Sequence, residues 1–182
     1  MNTKRVFFAL ALLTLACPLF ARQSVLAAKP APVKLTGFRA EFFANLDEVQ
    51  EKLVDLANAT PAEKFTWRPS GDVRSISEVY MHVAGGNYFL ATFLGVPAPK
   101  MNGDIEKEIT TKAGVLAELR RSFEHLRNAV NSVKDLEKAV KLFGNPTTNR
   151  GVLMTMLSHL HEHLGQSIAY ARMNGVVPPW SR

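Results

Sequence analysis

The sequence predicts an all-α protein, a four-helix bundle preceded by a signal peptide. Apolar residues recur at three- and four-residue steps over four long segments, which is the period of amphipathic helices. Glycine, proline and polar clusters separate these segments, and no stretch shows an alternating strand pattern of sufficient length. Because such helices bury their apolar faces against one another, we expect them to pack antiparallel around one core.

The N-terminus has the organisation of a secretory signal peptide. Lys4 and Arg5 supply its positive start, and the apolar run at residues 6–20, VFFALALLTLACPLF, is too short to span a bilayer comfortably. Small residues allow cleavage after Ala21 or Ala28, and we favour Ala28, which makes residues 1–28 the signal peptide. An uncleaved membrane anchor is the alternative. We therefore expect a periplasmic or secreted protein with no stable membrane span after cleavage.

The remainder of the chain divides into a linker and one domain. Residues 29–36 form a proline-bearing linker, and residues 37–182 supply the bundle. The formal charge of +6 falls to +3 without the signal peptide, because 19 of the 22 basic residues and all 16 acidic residues remain. These charges alternate in sign along helical patterns, so we expect no nucleic-acid partner. Cys17, the only cysteine, leaves with the signal peptide, which excludes disulfides and thiolate ligands.

The first two helices follow the linker. The first carries its apolar stripe from Phe38 to Leu56. A short helical turn is predicted at residues 60–63, TPAE, and the capping box SISE at residues 75–78 begins the second helix. The glycine and prolines of GVPAP, residues 95–99, end that helix.

Two further helices complete the bundle. The third is predicted from about Asp104 to Val133, because its apolar stripe is continuous. GNPTTN, residues 144–149, is predicted to be a polar connection, and the fourth helix extends from about Asn149 to Asn174. Gly175 and the prolines after it end this helix.

Three histidines lie within five positions of the fourth helix. An α-helix turns about 100° per residue, so His159 and His163 project side by side, whereas His161 points about 160° away from His163. The pair can present two neutral imidazoles to one cation, and His82, on the apolar stripe of the second helix, is the candidate third ligand. The alternatives are a solvated helix edge for the pair and a satisfied core residue for His82.

Residues near these histidines are candidates for supporting roles. Gly85 and Gly86 follow His82, and they either leave room for a cation, water or substrate or allow close helix packing. Glu78 lies one turn before His82 and could orient it, although closing the capping box with Ser75 is the favoured role.

Aromatic and remaining ionisable side chains are less informative. Trp67, Phe89 and Tyr170 are candidates for lining a pocket, although most aromatic residues in a bundle belong to the core. We expect His125 and Glu162 to be solvent-exposed and assign them no role. No carboxylate is predicted to act as a catalytic base.

Three stretches of the chain, FTWRP, SISEVYMHVAGGNYF and HLHEHLGQSIAYARMNGVVPPW, carry a family resemblance. Over about residues 38–180 the sequence resembles the DinB-like family, also called the DinB/YfiT superfamily. The family motif is one histidine on the second helix and H-x-x-x-H before G-Q on the last, which corresponds to His82 and to His159 and His163 here. The resemblance implies a DinB-like four-helix bundle that holds one divalent metal ion on these three histidines, and it suggests a homodimer.

The function that the resemblance implies is a metal-dependent hydrolase or transferase acting on an unknown small-molecule substrate. Some family members resemble transferases that use bacillithiol or mycothiol, but these thiols are cytoplasmic and an exported chain would not meet them. The alternatives are a non-catalytic periplasmic metal-binding or metal-carrying protein and a b-type haem bundle, for which clustered histidines have poor geometry. Three imidazoles suit several first-row ions, of which we expect zinc or nickel.

Overall fold

The computed structural model describes residues 36–181. Within this range the chain forms five α-helices, one β-hairpin and two 3₁₀ turns: α1 (Phe38–Ala59), a 3₁₀ turn (Ala62–Lys64), α2 (Ile76–Thr92), α3 (Ile105–Glu108), α4 (Lys112–Ser132), β1 (Ala139–Leu142), β2 (Asn145–Thr148), α5 (Asn149–Met173) and a second 3₁₀ turn (Pro179–Ser181). The predicted signal peptide, and the linker except for its last residue, lie outside the described residues. No helix in the described range is both long enough and apolar enough to cross a membrane.

The four long helices pack around one apolar core, which confirms the mainly helical prediction. α1 lies against α4 and α5, and α2 lies against the same two helices. Burying a large apolar side chain contributes about 1.5–3 kcal/mol, so the core is the main source of stability. Every long helix contributes fully buried side chains to it, among them Phe42, Leu46 and Leu53 from α1, Tyr80 and Met81 from α2, Leu119, Phe123 and Leu126 from α4, and Leu153 and Met156 from α5.

The predicted capping box begins α2 as expected. The Ser75 hydroxyl accepts a hydrogen bond from the Glu78 N–H at 3.3 Å, and Glu78 Oε2 accepts one from the Ser75 N–H at 2.7 Å. The Glu78 carboxylate is buried and also forms ion pairs with Arg68 at 3.0 Å and with Lys107 at 2.7 Å. Because Lys107 lies on α3, this carboxylate ties the short helix to the start of α2.

The third helix was predicted to be continuous, and this prediction is wrong, because the chain leaves helical geometry between α3 and α4. Ile109 has φ −102° and ψ 88°, which ends α3 after one turn. Thr111 then accepts a hydrogen bond from the Gly114 N–H at 3.3 Å and so provides a new N-cap for α4. The apolar stripe continues through the break, which explains why periodicity alone did not reveal it.

The connection before α5 was predicted without strands, and this prediction is wrong. β1 and β2 pair antiparallel, with Leu142 opposite Asn145. The two turn residues, Phe143 and Gly144, have φ angles of 52° and 84°, as the favoured two-residue hairpin turns require. Asparagine usually occupies the first of these positions, and phenylalanine there hides the turn signal.

Charge neutralisation at Glu78 is expected to lower stability at neutral pH. Burial raises the pKa of Glu78, but hydrogen bonds from Lys107, Ser75 and Arg68 outweigh it and lower the pKa from 4.5 to about 2. The stabilisation is therefore complete above pH 4.5 and is lost as the pH falls towards 2. Glu78→Gln keeps an acceptor for Ser75 but loses the charge. We expect it to cost on the order of 2 kcal/mol at pH 7, less than the full shift implies because solvent screens the exposed Lys107.

Urea unfolding at pH 7, 4, 3 and 2 measures this effect. The wild type should lose its advantage over Glu78→Gln as the pH falls, so the two unfolding free energies should converge near pH 2. Glu63→Gln, at an exposed position, is the control and should follow the wild type throughout. Parallel pH profiles for wild type and Glu78→Gln would contradict the prediction.

Candidate metal site

The structure brings His82 of α2 together with His159 and His163 of α5. One ring nitrogen from each lies within 4.8 Å of the other two. The ring centroids are 5.2 Å apart for His82 and His159, 4.7 Å for His82 and His163, and 4.6 Å for His159 and His163. His163 is buried and the other two are half-buried. Three imidazoles at this spacing are a ligand set that one metal ion can use.

Gly86 allows His159 to approach α2. A Cβ atom at position 86 would lie 2.2 Å from Cε1 of His159, closer than such atoms ever approach, whereas a Cβ at Gly85 would meet only Ile105 Cδ1 at 3.8 Å. The two glycines therefore differ in role. Gly86 provides close packing, as one of the two interpretations predicted, and what packs there is an imidazole ring.

A carboxylate that the sequence did not reveal orients His82. His82 Nδ1 lies 2.8 Å from Glu106 Oε1, and the other oxygen of Glu106 accepts a hydrogen bond from Arg74 Nε at 2.7 Å. Burial alone raises the pKa of Glu106, but the bonds from Arg74 and His82 outweigh it and lower the pKa overall. An ionised carboxylate on Nδ1–H fixes the tautomer of His82 and leaves Nε2 as the ligand atom.

Glu78, the sequence-based candidate for this role, does not contact His82 within the described residues, because its oxygens bind Ser75, Arg68 and Lys107. Glu106 is 24 positions away from His82 and lies on α3. No helical spacing links two residues on different helices, so this pair could not be recognised from the sequence.

An amide performs the same function for His163. Nδ1 of His163 lies 2.9 Å from Gln166 Oε1, and Gln166 Nε2 donates to the Tyr170 hydroxyl at 3.2 Å. The second bond sets the orientation of the amide, so that its oxygen faces the imidazole. His163, Gln166 and Tyr170 follow one another at three- and four-residue steps, and this helical spacing is a signal that could have identified Gln166.

The environment keeps two of the imidazoles uncharged. Burial lowers the pKa of His159 to about 4, with smaller contributions from His163 and His82, and burial also lowers the pKa of His163. Within the described residues, Nδ1 of His159 is buried and has no hydrogen-bond partner. A buried polar atom without a partner is costly, so a ligand on this ring would remove an unfavourable feature of the site.

The other histidines stand apart from this cluster. His161 is exposed and its Nδ1 lies 2.9 Å from the carbonyl oxygen of Leu157, in agreement with the prediction that it cannot join the pair. His125 was predicted to be solvent-exposed, and this is wrong. Its ring packs edge-on against Tyr88 with centroids 5.1 Å apart, and burial lowers its pKa.

A cavity of about 710 Å³ lies beside the histidines. His82 and His159 form part of its wall, and exposed Glu162 lies at its edge. Of the three aromatic candidates, Phe89 lines the cavity, whereas the Trp67 ring packs against Tyr170 at a centroid distance of 5.5 Å. A molecule in this cavity would therefore touch two of the three imidazoles.

Comparison with known proteins agrees with this architecture. A family model described as the DinB superfamily matches residues 45–167. The chain is similar to the crystal structure of a DinB-like protein from Bacillus cereus ATCC 10987, at 20% identity and a TM-score of 0.66, covering 77% of this chain and 95% of that one. It is also similar to a conserved protein from Enterococcus faecalis, at 12% identity and a TM-score of 0.60, covering 76% and 97%. At these identities the structures show the fold alone. No curated protein matches the sequence.

Alanine at position 86 is expected to displace the His159 ring, whereas alanine at position 85 is not. Replacing a helical glycine with alanine stabilises the helix by about 1 kcal/mol, so Gly85→Ala should stabilise the protein slightly. Gly86→Ala should lack this gain, because the new methyl group forces His159 out of the cluster. Thermal unfolding and the imidazole NMR signals of His159 measure both effects. Equal stabilisation by the two variants with unchanged His159 signals would show that the close contact does not exist.

Proposed function

The chain belongs to the DinB superfamily, and we propose that it binds one divalent metal ion on His82, His159 and His163. We propose further that it uses this ion as a hydrolase or transferase acting on a small molecule. The observation that carries the proposal is the convergence of three imidazoles within 4.8 Å beside a cavity of about 710 Å³.

The donor set fits a metal ion well. Nδ1 of His82 and Nδ1 of His163 already have acceptors in Glu106 and Gln166, so that each ring presents Nε2. Within the described residues Nδ1 of His159 has no hydrogen-bond partner, which supports a ligand role for this ring. Three imidazoles suit several first-row ions, of which we propose zinc or nickel.

The residues around the cluster have different roles. His82, His159 and His163 would hold a divalent ion, which when bound would supply a Lewis acid that polarises a carbonyl group and lowers the pKa of water. Glu106 and Gln166 orient the rings of His82 and His163, and Arg74 keeps the Glu106 carboxylate in place. A substrate in the cavity would lie against His82 and His159.

The cavity favours an enzyme over a metal carrier. A carrier needs a site that releases its ion, but it has no use for a chamber large enough for an organic molecule. Export, as the signal-peptide pattern predicts, would place the protein in the periplasm or outside the cell, away from cytoplasmic thiol cofactors. We therefore favour hydrolysis or transfer without such a thiol.

Metal content is expected to depend on the three histidines and not on their neighbour. Tag-free wild-type protein should contain one metal ion per chain by elemental analysis. His82→Ala, which keeps two imidazoles of the site, and the double variant His159→Ala/His163→Ala, which keeps one, should lose it, because such incomplete sites bind a first-row ion weakly. His161→Ala is the matched control, since it removes an imidazole from the same helix and should retain the ion.

Wild-type protein that stays metal-free after reconstitution with zinc and nickel would overturn the proposed site. Turnover of uncharged esters and amides by the loaded protein separates catalysis from metal carriage. Stoichiometric metal without any turnover would favour the metal-carrying function.

Neutralising Glu106 is expected to weaken metal binding without removing a ligand. Glu106→Gln should reduce affinity for zinc by about 10- to 100-fold, because the carboxylate fixes His82 and increases the basicity of its ring. Glu162→Gln, which neutralises an exposed carboxylate at the edge of the same cavity, is the control and should change affinity much less. Isothermal titration of metal-free protein measures both. An affinity of Glu106→Gln as high as that of Glu162→Gln would contradict a positioning role for Glu106.

A further inference from the structure

The wall of the cavity beside the histidines is mainly apolar. Phe89 and Phe143 border its mouth, and Met81, Met101 and Ile105 line its interior. Its volume of about 710 Å³ lies within the range of sites that bind drug-sized molecules. From this surface we infer that the cavity receives an apolar small molecule without negative charge, and that Phe143 binds the apolar part of that molecule. The inference deepens the proposed function by naming its substrate class, and it rests on that function only for the reaction.

Without a bound metal ion, the charges around the cavity disfavour anions. Asp104, Glu106 and Glu162 line it, whereas none of its lining residues in the described chain is lysine or arginine. Two arginines near the cavity have acidic partners: Arg74 binds Glu106 at 2.7 Å and Arg121 binds Glu118 at 2.8 Å. An anionic ligand would therefore be desolvated next to carboxylates, and no lysine or arginine of the lining would compensate its charge.

Phe143 is held at the mouth of the cavity by an unfavourable backbone. Its φ of 52° lies in the left-handed region, which bulky residues rarely adopt. Its ring is 61% exposed, and its centroid lies 6.1 Å from that of Phe89 and 5.5 Å from that of Phe93. An exposed apolar side chain on a strained backbone adds little to folding, and such strain is typical of ligand-binding positions.

The turn itself supplies a variant that separates binding from folding. Asparagine followed by glycine is the preferred pair for this hairpin turn, so Phe143→Asn should relieve the backbone while it removes the ring. The protein should therefore unfold at the same temperature or a higher one. Loss of ligand binding in this variant could not be attributed to misfolding.

Two dyes that differ only in charge test the proposal. N-phenyl-1-naphthylamine is uncharged, and 8-anilino-1-naphthalenesulfonate has the same rings with an added sulfonate. Fluorescence titration of purified metal-free protein should give a Kd at least about tenfold lower for the uncharged dye, because the cavity lining offers the sulfonate no lysine or arginine. Phe143→Asn should weaken binding of the uncharged dye about fivefold or more. Met173→Gln, which alters an exposed apolar residue outside the cavity, should leave binding unchanged.

Equal or tighter binding of the sulfonate, or unchanged binding by Phe143→Asn, would overturn the inference. A wild-type dimer that binds neither dye and dissociates in Phe143→Asn on sedimentation would assign this face to a second copy of the chain instead. Titrations with and without zinc keep the two proposals apart. Dye binding to protein that takes up no metal would reject the metal site alone, whereas metal uptake without dye binding would reject the substrate class alone.

Discussion

The histidine cluster depends on how closely α5 approaches α2. The His159 ring occupies the volume where any residue other than glycine at position 86 would place its Cβ, 2.2 Å from the ring. Glycine inside a helix costs about 1 kcal/mol relative to alanine. The helix is therefore less stable at position 86, where the site needs close contact with His159. Such a conflict between helix propensity and the requirements of a site is expected at functional positions. The i,i+4 pair on α5 can meet His82 because this side chain is absent.

A second constraint joins the fold to the site through the short helix α3. Four residues cannot form a stable helix alone, because nucleation is unfavourable. The ion pairs of Lys107 with Glu78 and of Glu106 with Arg74, together with the hydrogen bond between Glu106 and His82, attach α3 to α2 and the loop before it. Glu78 thus has two functions, since it caps α2 and anchors the segment that carries the partner of His82. Disruption of the cap would consequently disturb the His82 imidazole, although Glu78 does not contact it.

The sequence predicted those features that depend on local spacing. Helical periodicity located the four long segments, the Ser75–Glu78 box located the start of α2, and the 100° turn per residue separated His161 from its neighbours. The break before α4, the hairpin and the Glu106–His82 contact were missed. The break was missed because the apolar stripe continues through it, and the hairpin because its left-handed turn contains a phenylalanine. The contact was missed because its two residues lie on different helices. His125 was placed wrongly because the ring of Tyr88 covers it from another helix.

The same separation of local and tertiary information explains why the proposed substrate class rests on the structure and not on the sequence. Phe89 lies on α2 and Phe143 in the hairpin turn, more than 50 residues apart in sequence, yet their ring centroids are 6.1 Å apart. Carboxylates from the α3 region and α5 face the same cavity. A ligand of the proposed class would place its apolar body against Phe89 and Phe143 and its uncharged polar group near His82 and His159, where it would find partners. Carbonyl groups of esters and amides would meet this requirement, and a metal ion held by the three imidazoles would activate the same groups as a Lewis acid.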